Sequence, residues 1–303
     1  MPRQARSLTT RSSAVMSPDP PILPLIALDT LWLQVTGTLC NIACRHCFIT
    51  CGPKNRTHEM MSVEQVREAL EQADQYGVRE YYFTGGEPFL HPEIKTLIMM
   101  ALKLGPLSIL TNGILIDDAM AAWLGEIFRT SSYTLDLRVS LDGCTEQEND
   151  QIRGKGTFRR ILTGIACLAR HGLNPVITVT ELHQKLHVNQ ERVAFVELLH
   201  SLGLDQPRLK FLPTFLLGRE EQRTRPYRED ELLHEGDLRE GEEERLQCSS
   251  CRMVTANGVY PCPLLINVPG ARMGATLQDG MRPVALAWQA CYTCHLYGVT
   301  CRT

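Results

Sequence analysis

Short apolar runs alternate along this chain with longer stretches whose apolar residues recur every three or four positions. Glu80–Thr84 (EYYFT), Leu107–Thr111 (LSILT), Leu135–Leu141 (LDLRVSL), Val176–Thr180 (VITVT) and Arg208–Leu212 (RLKFL) have the character of strands. Leu33–Val35 (LQV) adds a short one. Helical patterns fill the gaps between them. Ser62 with Gln65 forms a capping box that opens the first helix, and Gly77 ends it. Pro92 suits a first helical position, and Gly105 closes that turn. Asp117–Phe128, Phe158–His171 and Asn189–Leu202 continue the series. About six strand–helix units predict an α/β fold: a parallel sheet, open or partly closed, with helices outside. Ligand chemistry in such folds gathers at the C-terminal ends of the strands.

Composition narrows the function classes. Apolar residues make up 44% of the 303 positions, enough for a sizeable core. A formal net charge of −3 argues against a general nucleic-acid binder, and no apolar run reaches the ~18 residues of a membrane span. The first residues hold two early arginines but no apolar stretch of signal-peptide type, so a cytoplasmic location is expected. Four regions are expected: a disordered arm (1–28), the α/β barrel (29–217), a charged linker (218–245) and a cysteine-rich tail (246–303). The linker holds eleven acidic and six basic residues from Arg219 to Arg245. A solvated connector is the simpler reading, and an acidic rim attracting a cationic substrate is the sharper one.

Twelve cysteines are distributed in two groups, with Cys144 and Cys167 apart. Tight groups without a secretion signal point to metal, not disulfides. Cys40, Cys44 and Cys47 lie in one short loop after a strand. Three thiolates there can hold three irons of a [4Fe–4S] cluster and leave the fourth iron open to a small molecule. A zinc site normally takes four ligands, and Cys51 keeps that alternative in play.

The C-x3-C-x2-C spacing, with His46 before its last cysteine, resembles the radical S-adenosylmethionine (SAM) superfamily. The resemblance continues through Gly85-Gly86-Glu87-Pro88 after the second strand, Thr111-Asn112-Gly113 after the third and Ser140-Leu141-Asp142-Gly143 after the fourth. It implies a partial (β/α)6 TIM-like barrel. It also implies a SAM-binding cluster on Cys40, Cys44 and Cys47, with SAM held by Gly85, Gly86, Glu87, Asn112, Ser140 and Arg153, and with His46 near the adenine. Glu87 suits an ammonium group, and Ser140 and Arg153 suit a carboxylate. One electron delivered to bound SAM yields a 5′-deoxyadenosyl radical, which abstracts hydrogen from an unactivated C–H bond.

The tail contains Cys248, Cys251, Cys262, Cys291, Cys294 and Cys301. Two C-x-x-C pairs would suffice for zinc. The phrase CRMVTANGVYPCP resembles the opening of the SPASM/twitch extensions that follow many radical SAM barrels, which implies an auxiliary [4Fe–4S] cluster. The simplest twitch arrangement takes Cys251, Cys262, Cys291 and Cys294 as its ligands. Alternatives use Cys248 and Cys251 together with Cys262, or bring in Cys301.

Across LDTLWLQVTGTLCNIACRHCFITCGP, REYYFTGGEPFLHPE, VSLDG and the tail, the chain is similar to the neomycin C epimerase family of aminoglycoside biosynthesis. That resemblance implies inversion of one C–H stereocentre of an aminosugar, with hydrogen returned by a cysteine thiol. The donor role falls on Cys248, with Cys251 as the alternative. A small-molecule aminoglycoside substrate and an electron donor such as flavodoxin or ferredoxin are the implied partners. The competing activities are an aminosugar or aminocyclitol dehydrogenase and a peptide maturase. The ~30 residues before the cluster loop are few for a maturase's peptide-binding domain.

Overall fold

The computed structural model describes residues 16–181, 188–239 and 241–298. In chain order the elements are β1 (Ile22–Leu23), β2 (Thr30–Gln34), α1 (Val63–Gln75), β3 (Glu80–Thr84), α2 (Ile94–Ala101), β4 (Leu107–Thr111), α3 (Asp118–Thr130), β5 (Leu135–Ser140) and α4 (Glu146–Arg153). There follow α5 (Thr157–Arg170), β6 (Val176–Thr180), α6 (Val188–Ser201), β7 (Arg208–Leu212), α7 (Arg219–Arg223), β8 (Cys251–Thr255), β9 (Gly258–Tyr260), β10 (Val284–Ala285) and α8 (Gln289–Tyr297). One sheet runs in the order β7-β6-β5-β4-β3-β2-β8-β9. Every pairing in it is parallel except β8 with β9. The fold is the α/β architecture with a parallel sheet that the alternation predicts and the partial barrel that the resemblance implies, with a cysteine-rich C-terminal part.

The helices cover the outer face because their apolar stripes match it. In α5, Ile161, Ile165 and Leu168 recur at helical spacing and are all fully buried. They join Leu31, Leu33, Phe83, Ile109, Leu137 and Ile177 in one core between sheet and helices. A second core, on the other side of the sheet, contains Trp32, Tyr82, Met253 and the cysteines of both groups. The two faces follow from the two-residue repeat of a strand: Leu31 and Leu33 point outward, and Trp32 points inward.

Several expectations are corrected. Residues 16–28 are not a free arm: β1 pairs with β10, Leu23 and Leu28 are buried, and Ile26 N–H donates to Ser249 O. Residues 1–15 of that expected arm lie outside the described residues. The charged segment is not a bare connector, because Leu232 and Leu233 are buried and Tyr227 Oη lies 2.7 Å from Thr293 Oγ1. The tail does not begin as a separate module: β8 extends the barrel's sheet beside β2. Pro92 precedes α2 by two residues, and the turn before it is a 3-10 helix over Pro88–Leu90 capped by Glu87. Helix α4 has no apolar stripe and is signalled only by its Thr145/Glu148 capping box.

Candidate active site

A cavity of about 290 Å³ opens at the C-terminal ends of the barrel strands. Its wall includes Cys40, Cys44, Cys47, His46, Gly85, Gly86, Asn112, Ser140 and Arg153. The strand ends thus bring together nine of the ten residues expected there around SAM and its cluster. Glu87 is the exception: it does not line the cavity. It is fully buried behind the wall, where its carboxylate accepts from Thr111 Oγ1 at 2.7 Å, Asn112 N at 2.8 Å and Phe89 N at 3.1 Å. Burial pushes the carboxyl up to about 7 against these donors. Glu87 therefore ties the ends of β3 and β4 together, and the surface offered to a ligand there is the backbone of Gly85 and Gly86.

Gly86 is required by close approach. A Cβ there would stand 2.0 Å from Leu39 O and 2.7 Å from Cys40 N, so only glycine lets the end of β3 lie against the cysteine loop.

Each of the three loop sulfurs faces a nitrogen. Asn112 Nδ2 lies 3.7 Å from Cys40 Sγ, Arg153 Nη1 4.0 Å from Cys44 Sγ, and Cys51 N 3.3 Å from Cys47 Sγ. Burial pushes the Cys40 thiol up to about 12 and that of Cys44 to about 11. A hydrogen bond from Cys51 brings Cys47 down to about 6, and the Cys51 thiol is raised in turn. Cys51 is buried in the same wall, with its Sγ 3.9 Å from Gly85 O.

Two residues without an expected role organise this end of the barrel. Asp142 Oδ2 lies 2.7 Å from both His46 Nε2 and Arg153 Nε, forming a buried triad. Burial acts to raise the Asp142 carboxyl, but Arg153 and His46 hold it well below the usual carboxylate range. Arg219, at the start of α7, donates to three carbonyls of the cysteine loop: Cys44, Thr50 and Cys51, at 2.7, 3.1 and 2.5 Å. Asp142 lies within the SLDG motif, whereas Arg219 stands at the head of a charged stretch with nothing local to single it out.

A second, smaller cavity lies in the tail, walled by Cys248, Cys262, Cys291 and Cys294 among apolar side chains. Cys291 and Cys294 stand one turn apart on α8. Burial raises the thiols of Cys248, Cys262 and Cys291, the last two to about 11 and 12. The cavity's lining differs from the expected ligand set of Cys251, Cys262, Cys291 and Cys294. Cys248, on a 3-10 turn, joins the late cysteines, and Cys251 does not line that cavity. Cys251 opens β8 opposite Thr30 and points to the barrel interior, on the same face as Trp32 and Met253. Cys301 lies outside the described residues. Gln247 and Leu264 line both cavities, so the two adjoin.

The profile of the Radical SAM superfamily matches residues 35–199, more than half of the chain. The chain belongs to the radical SAM superfamily. It is 29% identical over 136 residues to the antilisterial bacteriocin subtilosin biosynthesis protein AlbA of Bacillus subtilis, covering 44% of this chain and 29% of AlbA. It is 30% identical over 169 residues to a probable GTP 3′,8-cyclase of Methanosarcina mazei, covering 50% of this chain and 47% of that one. The chain thus spans less than half of either relative. The fold matches the crystal structure of Streptococcus suis SuiB bound to S-adenosylmethionine with a TM-score of 0.62 at 18% identity, over 82% of this chain and 63% of SuiB.

Radical SAM enzymes use a [4Fe–4S] cluster together with SAM, and the donor set fits that pair. Three neighbouring thiols, Cys40 buried and Cys44 and Cys47 half-buried, share one wall with glycine backbone, an amide and an arginine. Thiols raised by burial lose their protons when they bind iron. Among the described residues, no three His, Cys, Asp or Glu side chains close onto a single ion. No described helix is long and apolar enough to cross a membrane.

Proposed function

We propose that this radical SAM enzyme is an epimerase. It removes hydrogen from one C–H stereocentre of an aminoglycoside-type aminosugar, and a cysteine thiol returns hydrogen to the opposite face. The observation that carries this reading is a thiol in excess. Five described tail cysteines are buried; four wall one cavity, and the fifth, Cys251, lines neither cavity and stands on the inward face at the start of β8.

In this reading Cys40, Cys44 and Cys47 hold the SAM cluster. The Gly85–Gly86 backbone, Asn112, Ser140 and Arg153 hold SAM, and His46 lies by its adenine. Bound there, cluster and SAM supply a carbon-centred radical that takes a hydrogen atom from the substrate; flavodoxin or ferredoxin is the expected source of the electron. Cys248, Cys262, Cys291 and Cys294 hold an auxiliary [4Fe–4S] cluster. Taking Cys248 as a ligand leaves the donor role to Cys251, the alternative to Cys248. Its S–H bond breaks as the substrate's new C–H bond forms. Restoring the thiol takes one electron, which an auxiliary cluster held by these four cysteines would supply, and one proton, which solvent would supply.

The charged segment supports a cationic sugar. It follows Phe215 and ends before Gln247, both of which line the large cavity, and Glu229, Asp230, Glu235 and Asp237 are exposed along it. A second reading, modification of a peptide, is favoured by the wall itself. Its charged groups include Arg138, Arg153 and Lys210, with no Asp or Glu among the described lining residues. The names of relatives, the subtilosin biosynthesis protein and mycofactocin maturase, point the same way for those proteins.

Product analysis in deuterated water decides. An epimerase installs one solvent deuterium at an inverted carbon of the sugar, a dehydrogenase yields a ketone, and a maturase changes only peptide. Cys251→Ala should keep both clusters and still move substrate deuterium into 5′-deoxyadenosine, yet invert nothing. If Cys248→Ala behaves this way with its iron intact, the donor is Cys248 and the ligand set proposed here is wrong.

A further inference from the structure

Arg252 is among the largest fully buried side chains of the chain. It lies on β8 between Cys251 and Met253, and its side chain turns away from theirs. Nε donates to Gly280 O at 2.6 Å, Nη1 to Cys248 O at 2.7 Å and Cys251 O at 2.6 Å, and Nη2 to Arg282 O at 2.7 Å. Four carbonyls satisfy its N–H groups, but carbonyls carry no net charge. Among the described residues no carboxylate pairs with it. Its electrostatic neighbours are the thiols of Cys251, Cys248 and Cys262, and Arg282.

A guanidinium withdrawn from water needs an opposite charge, because the penalty for an unpaired buried ion is several kcal/mol. Neutral thiols do not supply that charge, whereas thiolates bound to iron do. Four thiolates carry four negative charges, more than the iron and sulfide of a [4Fe–4S] core offset, so the assembled centre is an anion.

We infer that Arg252 is the counter-ion of the auxiliary centre. It holds the Cys248 and Cys251 carbonyls in place and, by its charge, raises the reduction potential of the cluster beside it. This rests on the reading of the tail as a cluster site. Arg252 is a positioning residue in this scheme: it touches neither substrate nor SAM. Its charge would set how readily the auxiliary centre gains and gives up the electron needed at the neighbouring thiol.

The test is a redox titration of anaerobically reconstituted full-length protein with dithionite, followed by electron paramagnetic resonance. Arg252→Gln keeps polar contacts and removes the charge; Arg252→Lys keeps the charge and loses the planar fork. The expected result is a more negative auxiliary potential in Arg252→Gln, a potential closer to wild type in Arg252→Lys, and an unmoved SAM-cluster potential in both. Equal auxiliary potentials in all three proteins, with full iron, overturn the inference and leave the cluster reading standing. A wild-type protein that binds iron only at the SAM site overturns both. Should Arg252→Gln fail to fold, wild type stripped of iron by a chelator serves instead. The guanidinium is then alone in the interior, and amide exchange along β8 should rise; unchanged protection there overturns the inference.

Discussion

Arg219 Nε and the Cys44 carbonyl meet at 2.7 Å across 175 positions of sequence. The same guanidinium reaches the carbonyls of Thr50 and Cys51, so the segment after β7 grips the cysteine loop from outside. Each such charge-assisted bond is worth ~1.5–3 kcal/mol. Arg219→Ala should therefore lose cluster iron to a chelator several-fold faster than wild type and melt lower. Arg219→Lys should recover only part of this, because one ammonium cannot serve three spread carbonyls. Equal iron-release rates in wild type and Arg219→Ala would show that the loop holds itself.

Gly86 sets the distance between β3 and the cysteine loop. With a Cβ placed 2.0 Å from Leu39 O, Gly86→Ala must push the loop away from the strand end. We expect the variant to fold less stably and to load less iron at the SAM site, read by iron analysis and visible absorption. Gly77→Ala is the control. Nothing lies within 4 Å of a Cβ there, and the cost is confined to a positive φ of 73°, about 1 kcal/mol. Normal iron loading in Gly86→Ala would remove the close approach as the reason for this glycine.

Cys51 is expected to be dispensable for SAM cleavage although it sits in the cluster wall. Cys51 gives Cys47 hydrogen bonds from its side chain and from its backbone N–H; alanine removes the first and keeps the second, 3.3 Å from Sγ. Cys51→Ala should retain the SAM cluster and form 5′-deoxyadenosine, while Ala at Cys40, Cys44 or Cys47 should abolish it. Loss of cleavage in Cys51→Ala would make Cys51 a ligand.

The parts legible in the sequence were those whose signal is local. Glu80–Thr84, Leu107–Thr111, Val176–Thr180 and Arg208–Leu212 coincide with strands because each is a short, dominantly apolar run bounded by turn residues. The cysteine loop and the strand-end motifs were legible for the same reason. Pairing of β8 with β2 was not, since a strand carries no mark of a partner more than two hundred residues away. For that reason, cutting the chain after Arg245 would strip a strand from the barrel edge as well as remove a cluster site. Spacing also could not tell Cys248 from Cys251. Three positions apart, one lies on a 3-10 turn facing the tail cavity, and the other opens a strand facing the barrel. The position of Glu87 was not legible, because a carboxylate beside two glycines suits an ammonium equally well whether it faces the cavity or caps the turn behind it.

Asp142 is the charge on which the cavity's Arg153 and His46 depend. Its Oδ2 lies 2.7 Å from each, and the Asp142 side chain is wholly buried. Asp142→Asn keeps the shape and removes the charge. Arg153 is then a buried cation 4.0 Å from the Cys44 sulfur with no carboxylate to offset it. Breaking a buried pair from one side costs ~3–5 kcal/mol, so a large drop in melting temperature is expected. Asp118→Asn provides the contrast: its pairs with Arg170 and His171 are exposed, and it should change stability by about 0.5 kcal/mol or less. The Arg153 guanidinium should also be less firmly held, which weakens the seat proposed for the SAM carboxylate. SAM affinity, measured by equilibrium binding to iron-loaded protein, should therefore fall in Asp142→Asn and stay unchanged in Asp118→Asn. If Asp142→Asn melts with wild type and binds SAM as tightly, the triad neither supports the fold nor orients Arg153.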